Sequence, residues 1–206
     1  EIISIANNDT SLVRKMSNRV DIVKFKKWSN PSEKKPLTLN KKNWKPFSIG
    51  ELFTTYTGGD LIIGNVDKGD IPVISHSAVN NSVQTYSSII NGRKLFDHNK
   101  TLSLADRGTF FSTIQPRDFY IGTRVKALEA KYDDISLYSL LFISVVINKE
   151  KFRFNYGRNC TDSLDELRIY LPAKEDKLCL FSDSGYSPDW SLMDNFIKSL
   201  PYSDRI

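Results

Sequence analysis

The pattern of hydrophobic and polar positions predicts many short strands after residue 46. Apolar residues alternate or cluster in five runs, namely IPVISHS, KTLSLA, TFFSTI, DFYIG and RVKALEA. Turn-forming pairs separate them, including Gly58-Gly59 and Asn80-Asn81, which tolerate left-handed backbone. The sequence Asp106-Arg107-Gly108 joins KTLSLA to TFFSTI. We therefore predict a β-hairpin at that turn.

Two segments have helical patterns. Residues 135–147, ISLYSLLFISVVI, are apolar enough for a buried helix, and Asp134 or Ser136 is its expected cap. A second, amphipathic helix is predicted over 188–200, with Ser187 as N-cap and Pro188 at the first helical position. Its apolar residues recur on one face: Trp190, Met193, Phe196, Ile197 and Leu200.

The segment between the two helices combines strand and turn patterns. FRFNY alternates like a strand and is followed by the break Tyr156-Gly157-Arg158. Ser163 and Glu166 fit a capping box for one helical turn, and LRIYLP reads as a strand ended by Pro172. Many short strands with one buried and one terminal helix predict an α+β fold with a mixed, twisted β-sheet.

Charge divides the chain unevenly. Residues 1–46 carry a net charge of +7 and residues 47–206 carry −2, which gives +5 for the whole chain. Residues 29–46 have the proline- and lysine-rich composition of a linker. We therefore predict a basic N-terminal segment and linker over 1–46, a compact domain over 47–187 and a C-terminal helix over 188–206. The basic segment fits either contact with phosphates or a solvated linker.

Length and composition narrow the class of protein. The 206 residues suit one domain with appendages, and the longest apolar stretch is too short to span a bilayer. Cys160 and Cys179 lack metal-ligand spacing and are predicted to be free thiols. With no signal-peptide pattern, a cytoplasmic location without membrane contact is expected.

Motifs for catalysis are few. His76 and His98 have no ligand partner at metal-binding spacing, apart from Asp97 next to His98. We predict neither a catalytic residue nor a metal site. The alternative is the tripeptide Glu175-Asp176-Lys177, which resembles the acidic residue and lysine of magnesium-dependent nucleases.

Polar turns instead carry side chains suited to DNA. Asparagine and glutamine can pair with adenine, arginine with guanine, and lysine or backbone N–H groups with phosphate. Each turn alone also fits a solvated loop. The candidate DNA-binding residues are Gly58, Lys68, His76, Asn80, Asn81, Arg93, Lys94, Gln115, Arg117, Tyr156 and Arg158.

Two motif sets resemble a known family over residues 44–206. WKPFSIGELF, a glycine turn, GDIPVIS and an asparagine-rich loop are similar to the target recognition domain of type I restriction specificity subunits. FNYGRNCTDSLDELRIYLP resembles the closing part of that domain. PDWSLMDNFIKSLPY looks closest to the BcgI-like, type IIB branch and to fused restriction–methylation enzymes.

The resemblance implies a target-recognition-domain fold and a non-catalytic, sequence-specific DNA-binding function. Such a domain directs an adenine methyltransferase and an endonuclease to a bipartite site, completed by a homodimer or a second recognition domain. The methyltransferase would use S-adenosylmethionine and the nuclease Mg²⁺, while this chain would bind no cofactor. The helix over 188–200 would dock a partner, and Arg158 would contact a phosphate.

Two other functions remain open at this point. One is the magnesium-dependent nuclease using Glu175 and Lys177. The other is a protein-interaction domain that docks through the face from Trp190 to Leu200 and does not bind DNA.

Overall fold

A computed structural model describes residues 35–61, 63–106, 109–154, 159–160, 163–178, 184–201 and 203. These residues lie in the second of two units into which the chain divides, Lys34–Ile206. Most of the basic N-terminal segment, Tyr156, Arg158 and Cys179 fall outside the described residues. None of the described helices has the length and apolar character needed to cross a membrane.

Ten strands and three α-helices make up the described part of this unit. The strands are β1 Trp44–Ser48, β2 Phe53–Thr57, β3 Ile71–Ile74, β4 Val83–Ser87, β5 Thr101–Ala105, β6 Phe111–Thr113, β7 Tyr120–Ile121, β8 Val125–Ala130, β9 Arg168–Glu175 and β10 Tyr186–Pro188. The helices are α1 Ile49–Leu52, α2 Leu137–Lys149 and α3 Trp190–Ser199.

The strands form three sheets. An antiparallel four-stranded sheet has the order β2-β8-β5-β6, and β5 and β6 are the predicted hairpin. A second sheet has the order β4-β3-β7, in which β3 and β7 are parallel. The third has the order β1-β9-β10. The α+β fold with mixed strand pairing is therefore confirmed.

Apolar side chains cover both faces of the four-stranded sheet. On one face, Leu102, Leu104 and Leu128 pack with α2 in a large core that we call the helix-side core. On the other face, Val125 and Ala127 belong to a smaller cluster with Ile74 of β3, Ile121 of β7, Phe96 and Phe119. Alternation along β5 and β8 explains this, since successive side chains point to opposite faces.

The buried helix is confirmed. Leu140, Ile143 and Ile147 are fully buried, and Ser136 is the cap because its hydroxyl accepts a hydrogen bond from the Ser139 N–H at 3.1 Å. The amphipathic helix is also present as α3, but its predicted start was wrong.

The start of α3 differs because β10 takes up the residues assigned to its first turn. Asp189 is the N-cap and accepts from the Leu192 N–H at 3.0 Å. Ser187 and Pro188 pair with β9 instead of capping and opening the helix.

The predicted strand FRFNY was wrong. Glu150–Arg153 is a 3₁₀ helix that continues from α2. Phe152 is 79% exposed, while Phe154 stacks on Phe110 with ring centroids 4.6 Å apart. Only one of the two phenylalanines is used by the core, so the alternation did not reflect a sheet.

Strand β9 continues through Pro172 to Glu175, which corrects the predicted end. Proline is tolerated because β9 changes partner there. Trp44 of β1 pairs with Pro172, and β10 pairs from Ala173 onward. Since β1 begins at Trp44, the described domain starts inside the segment assigned to the linker.

The predicted capping box at Ser163 and Glu166 is replaced by successive hydrogen-bonded turns. The same motif does form a box at the start of α1. Ser48 accepts from the Glu51 N–H at 3.2 Å, and the Glu51 carboxylate accepts from the Ser48 N–H at 2.6 Å.

Candidate nucleic-acid interface

Strand pairing brings three polar loops to one end of the molecule. Strands β2, β3, β5 and β7 finish at this end, and β8 begins there. We call it the loop end. It carries the diglycine loop (58–60), the asparagine loop (75–82) and the arginine turn (122–124).

The asparagine loop is held by its own polar side chains. Asn80, Asn81 and Ser82 all have positive φ, at 50°, 50° and 63°, as the asparagine pair predicts. The Asn80 amide donates to the Val83 carbonyl at 3.1 Å, and the Asn81 amide donates to the Ile114 carbonyl at 2.8 Å. Both asparagines are exposed, so the loop is fixed in shape while its outer surface stays open to solvent.

Gln115, which was predicted to bind DNA, is buried and hydrogen-bonded within the chain. It is 1% exposed, and its amide nitrogen donates to the Asn81 carbonyl at 3.1 Å and to the Thr113 hydroxyl at 2.7 Å. Its amide oxygen accepts from Asn81 at 3.2 Å. Because both ends of the amide are occupied beneath the asparagine loop, Gln115 supports the loop instead of facing a ligand.

Gly58 is required by close packing at the loop end. Its N–H donates to the Val125 carbonyl at 2.8 Å, and a Cβ at this position would lie 1.9 Å from the Gly122 carbonyl oxygen. Any side chain would therefore separate the diglycine loop from the arginine turn.

Arg93 links the diglycine loop to the end of β7. Its guanidinium donates to the Asp60 carbonyl at 2.9 Å and to the Ile121 carbonyl at 3.2 Å. The guanidinium that was predicted to bind DNA thus already donates to two backbone carbonyls and connects the diglycine loop to β7.

Lys94 lies on the flank of the loop end beside a cleft of about 150 Å³. Its ammonium contacts Glu129 at 2.6 Å and sits 3.7 Å from the centre of the Tyr56 ring. Partial burial alone would lower the pKa of Lys94, but hydrogen bonds to Glu129 and Tyr56 outweigh it and raise that pKa. Lys94 is therefore a paired cation that lines one wall of the cleft.

A buried charged pair lies beneath the loop end. Lys126 donates to the Thr57 hydroxyl at 2.8 Å, and its ammonium lies 4.0 Å from the Asp106 carboxylate. Asp106 is 3% exposed, and neither carboxylate oxygen accepts a hydrogen bond within the described structure. Burial, with Asp106 nearby, raises the pKa of the Cys160 thiol to about 12, so this cysteine stays protonated.

Two predicted residues lie at the opposite end. Arg117 donates to the Asp70 carbonyl at 3.4 Å, just before β3 begins. Lys68 precedes Gly69, which packs against the backbone where β4 ends. The structure therefore groups Gly58, His76, Asn80, Asn81 and Arg93 and separates Lys68 and Arg117 from them.

Arg124 is a candidate that sequence reasoning missed. The pattern of RVKALEA predicts that Arg124 begins a strand, but Arg124 lies in the arginine turn with φ of 62° and is exposed. The available signal was its position next to Gly122-Thr123, which breaks the apolar pattern between β7 and β8.

The charge distribution favours the loop end over the rest of the domain. Asp60 is the one acidic residue in its three loops, although residues 47–206 carry a net charge of −2. Asp106 lies close by but is buried. The remaining acidic residues of 47–206 lie outside the three loops. The net negative charge of this region is therefore not concentrated where a nucleic acid would bind.

Within the described ranges, one group of three side chains could hold a cation: Asp97, His98 and Asp118. The His98 ring nitrogen lies 2.7 Å from the Asp118 carboxylate, and this hydrogen bond lowers the pKa of Asp118. In this group, His98 is the partner of the Asp118 carboxylate. It does not include Glu175, which ends β9 and is exposed, so no finding supports the nuclease alternative.

The apolar face of α3 packs inside this chain. Met193 and Ile197 belong to the helix-side core, and Trp190, Phe196 and Leu200 pack against it. Asp194 holds the helix to α2 by accepting from the Ser139 hydroxyl at 2.6 Å. Docking of a partner protein on this face remains a prediction. The alternative is that the face serves to pack α3 against the core of its own domain.

Comparison with known proteins gives a consistent family. Residues 41–198 match the family described as type I restriction modification DNA specificity domain. A curated relative, the type II restriction enzyme BgcI specificity subunit S.BcgI from Heyndrickxia coagulans, is 27% identical over 166 residues. That match covers 79% of this chain and 45% of the relative, so the chain spans under half of the relative's length.

Two solved structures share the fold. A type I restriction-modification system S subunit from M. genitalium has a TM-score of 0.54 at 15% identity, covering 80% of this chain and 40% of that one. An HsdS subunit from Thermoanaerobacter tengcongensis has a TM-score of 0.52 at 12% identity, covering 83% and 39%. With the family match extending over most of the sequence, the chain belongs to the type I restriction modification DNA specificity domain family.

Proposed function

We propose that this chain recognises one part of a DNA target sequence through its loop end and directs a partner adenine methyltransferase and endonuclease to that target. The observation that carries the proposal is the family match over 41–198 on a fold whose polar loops gather at one end. The chain itself would supply recognition. The methyltransferase would use S-adenosylmethionine and the nuclease Mg²⁺, both acting in the cytoplasm.

The exposed side chains of the asparagine loop suit the major groove. His76 and Asn80 can donate to base edges and phosphates or accept from base edges. Asn81 can accept from a base edge through its amide oxygen, because its amide nitrogen already donates to Ile114 and Gln115. Val79 is 73% exposed and offers methyl groups that could contact a thymine methyl. Buried Gln115 and the left-handed backbone hold these groups in position, so recognition would need little ordering of the loop.

A bipartite target would require a second recognition domain. This chain covers 45% of its curated relative and about 40% of each solved S subunit. The second domain could come from a second copy of this chain or from further polypeptide. Phosphate contacts by the basic residues of 1–46 would add salt-dependent affinity.

The test is selection of duplexes from a random library by the full chain with its partner methyltransferase present. We expect one enriched sequence, bound more tightly than a scrambled duplex, with affinity falling as salt rises. Equal affinity for selected and scrambled duplexes would show that the chain does not specify a target. Sedimentation of the full chain, alone and with the selected duplex, measures the mass of the complex and so reports whether two copies assemble.

A further inference from the structure

The arginine turn has a backbone conformation that arginine disfavours. Arg124 has φ of 62°, in the left-handed region. Side chains crowd the following carbonyl there, so residues other than glycine, asparagine and aspartate rarely adopt it. Such conformations persist when the surrounding structure imposes them, and they cluster at functional sites.

Hydrogen bonds and close packing impose this conformation. The Gly122 N–H donates to the Ile74 carbonyl at 2.8 Å, which ties the start of the turn to β3. The Gly58 N–H donates to the Val125 carbonyl at 2.8 Å, which ties the end of the turn to the diglycine loop. The chain must therefore reverse within 122–124, between two strands that are themselves buried.

The conformation removes Arg124 from the sheet. Ala105 pairs with Val125, so continuing the register would place Arg124 opposite Asp106. The described structure contains no ion pair between them, and Asp106 lies near Lys126 instead. Arg124 is exposed and forms neither a hydrogen bond nor a salt bridge with any described residue.

Among the residues that the structure describes, Arg124 is therefore the cation at the loop end whose side chain has no bonding partner. Arg93 is bound to two backbone carbonyls, and Lys126 is 6% exposed. The arginine turn also lies beside the asparagine loop, because Gly122 bonds to Ile74 directly before that loop begins.

We propose that Arg124 contacts the DNA target, donating to a phosphate oxygen or to the O6 and N7 acceptors of a guanine, and that the left-handed turn presents it. This inference rests on the proposed function. Both acceptors suit the planar guanidinium, which can donate two parallel hydrogen bonds.

The variant Arg124→Gly distinguishes the effect of the side chain on binding from the effect of the backbone conformation on stability. Glycine adopts positive φ without strain, so the thermal midpoint should stay the same or rise, while the side chain is lost. We expect the affinity for the selected duplex to fall by about 5- to 150-fold. Arg168→Ala, which removes an exposed arginine from β9 in another sheet, is the charge-matched control and should change affinity by less than about 3-fold.

Two further measurements distinguish the acceptors. A phosphate contact predicts a uniform loss on all duplexes and a salt slope smaller by about 1. A guanine contact predicts relaxed preference at one base pair in a repeated selection. Either result supports the inference, and Arg124→Lys should recover more affinity in the phosphate case because lysine retains the charge without the bidentate geometry.

Failure has two separable forms. If wild type selects a duplex and Arg124→Gly binds it equally well, Arg124 is not a contact residue and the proposed function stands. If wild type selects no duplex, with the methyltransferase present, both the function and this inference are overturned. A variant that loses binding together with a lowered thermal midpoint would also overturn it, since the turn would then act through stability.

Discussion

The helix-side core and the loop end share strands β5 and β8 but are held by different kinds of contact. In the core, Leu104 and Leu128 meet α2 through apolar surfaces that impose little direction. At the loop end, Gln115 and Arg93 each contact specific partner atoms. Apolar contacts can be re-formed by side chains of similar volume, whereas a lost polar partner leaves a group unsatisfied. The two regions should therefore respond differently to substitution.

The largest effect is expected where the two regions meet. Lys126→Met removes the cation that pairs with the buried Asp106 in the described structure, which should destabilise the fold by about 3–5 kcal/mol. Urea unfolding measures this. The double variant Asp106→Leu with Lys126→Met should recover most of the stability, because no unpaired charge remains. A single variant within about 1 kcal/mol of wild type would show that water already solvates the pair.

A core cavity should cost stability without changing recognition. Leu140→Ala removes a fully buried side chain from α2 and should destabilise by about 2–5 kcal/mol. Affinity for the selected duplex, corrected for the folded fraction, should stay the same. Val145→Ala on the same helix, where the side chain is 48% exposed, is the control and should stay within about 0.5 kcal/mol. Weaker binding by folded Leu140→Ala would mean that the two regions are coupled.

Loss of the buried amide should act locally. Gln115→Ala leaves the Asn81 carbonyl and the Ser103 and Thr113 hydroxyls without this donor, at a cost of about 1–3 kcal/mol. Hydrogen exchange should speed up in the asparagine loop and remain slow in α2. The exposed Gln84→Ala on β4 is the matched control. Equal protection of the loop in both variants would contradict the supporting role of Gln115.

Alkaline pH should lower the free energy of unfolding gradually through the buried thiol of Cys160. Burial raises the pKa of Cys160 to about 12 from an unfolded value of 9.0, so the unfolded chain releases this proton first. Stability from this group is complete below pH 9 and declines by about 1.4 kcal/mol per pH unit above it. Unfolding between pH 8.5 and 10.5 should therefore show a steeper loss for wild type than for Cys160→Ala. If the free energy of unfolding fell equally with pH in wild type and Cys160→Ala, the thiol would be in contact with water and its pKa would not be raised.

Local patterns predicted elements well where burial and local preference agreed. The apolar run of α2 and its Ser136 cap, the hairpin of β5 and β6, and the left-handed Asn80-Asn81 turn are all present. In each case, short-range chemistry suffices to define the element. The α+β class followed from such elements, whereas the family resemblance rested on the sequence motifs themselves.

Tertiary contacts decided the elements that were wrong. The motif Ser-x-x-Glu occurs at Ser48 and at Ser163, but only the first begins a helix. Asp165 and Leu167 use their carbonyls to accept from Gly50 and Ile49, so the second segment docks onto α1. A single sequence does not show which of two equal motifs another segment will bind.

The candidate site was less predictable than the fold. Composition indicated polar turns, but only strand pairing shows that Gly58, His76 and Asn80 share an end from which Lys68 and Arg117 are distant. Gln115 and Arg93 have side chains suited to DNA, yet buried acceptors already occupy them. Arg124 was hidden because its strain depends on contacts with β3 and the diglycine loop, which lie far away in sequence.

The contact between Gly58 and Gly122 limits how new specificities can be engineered in this domain. Because a Cβ on Gly58 would reach 1.9 Å from the Gly122 oxygen, a library that randomises position 58 would consist largely of misassembled loop ends. The exposed positions 76, 78, 79, 123 and 124 lie outside this contact and can be diversified together. Retargeting should therefore hold the two glycines constant and exchange only the residues that they position.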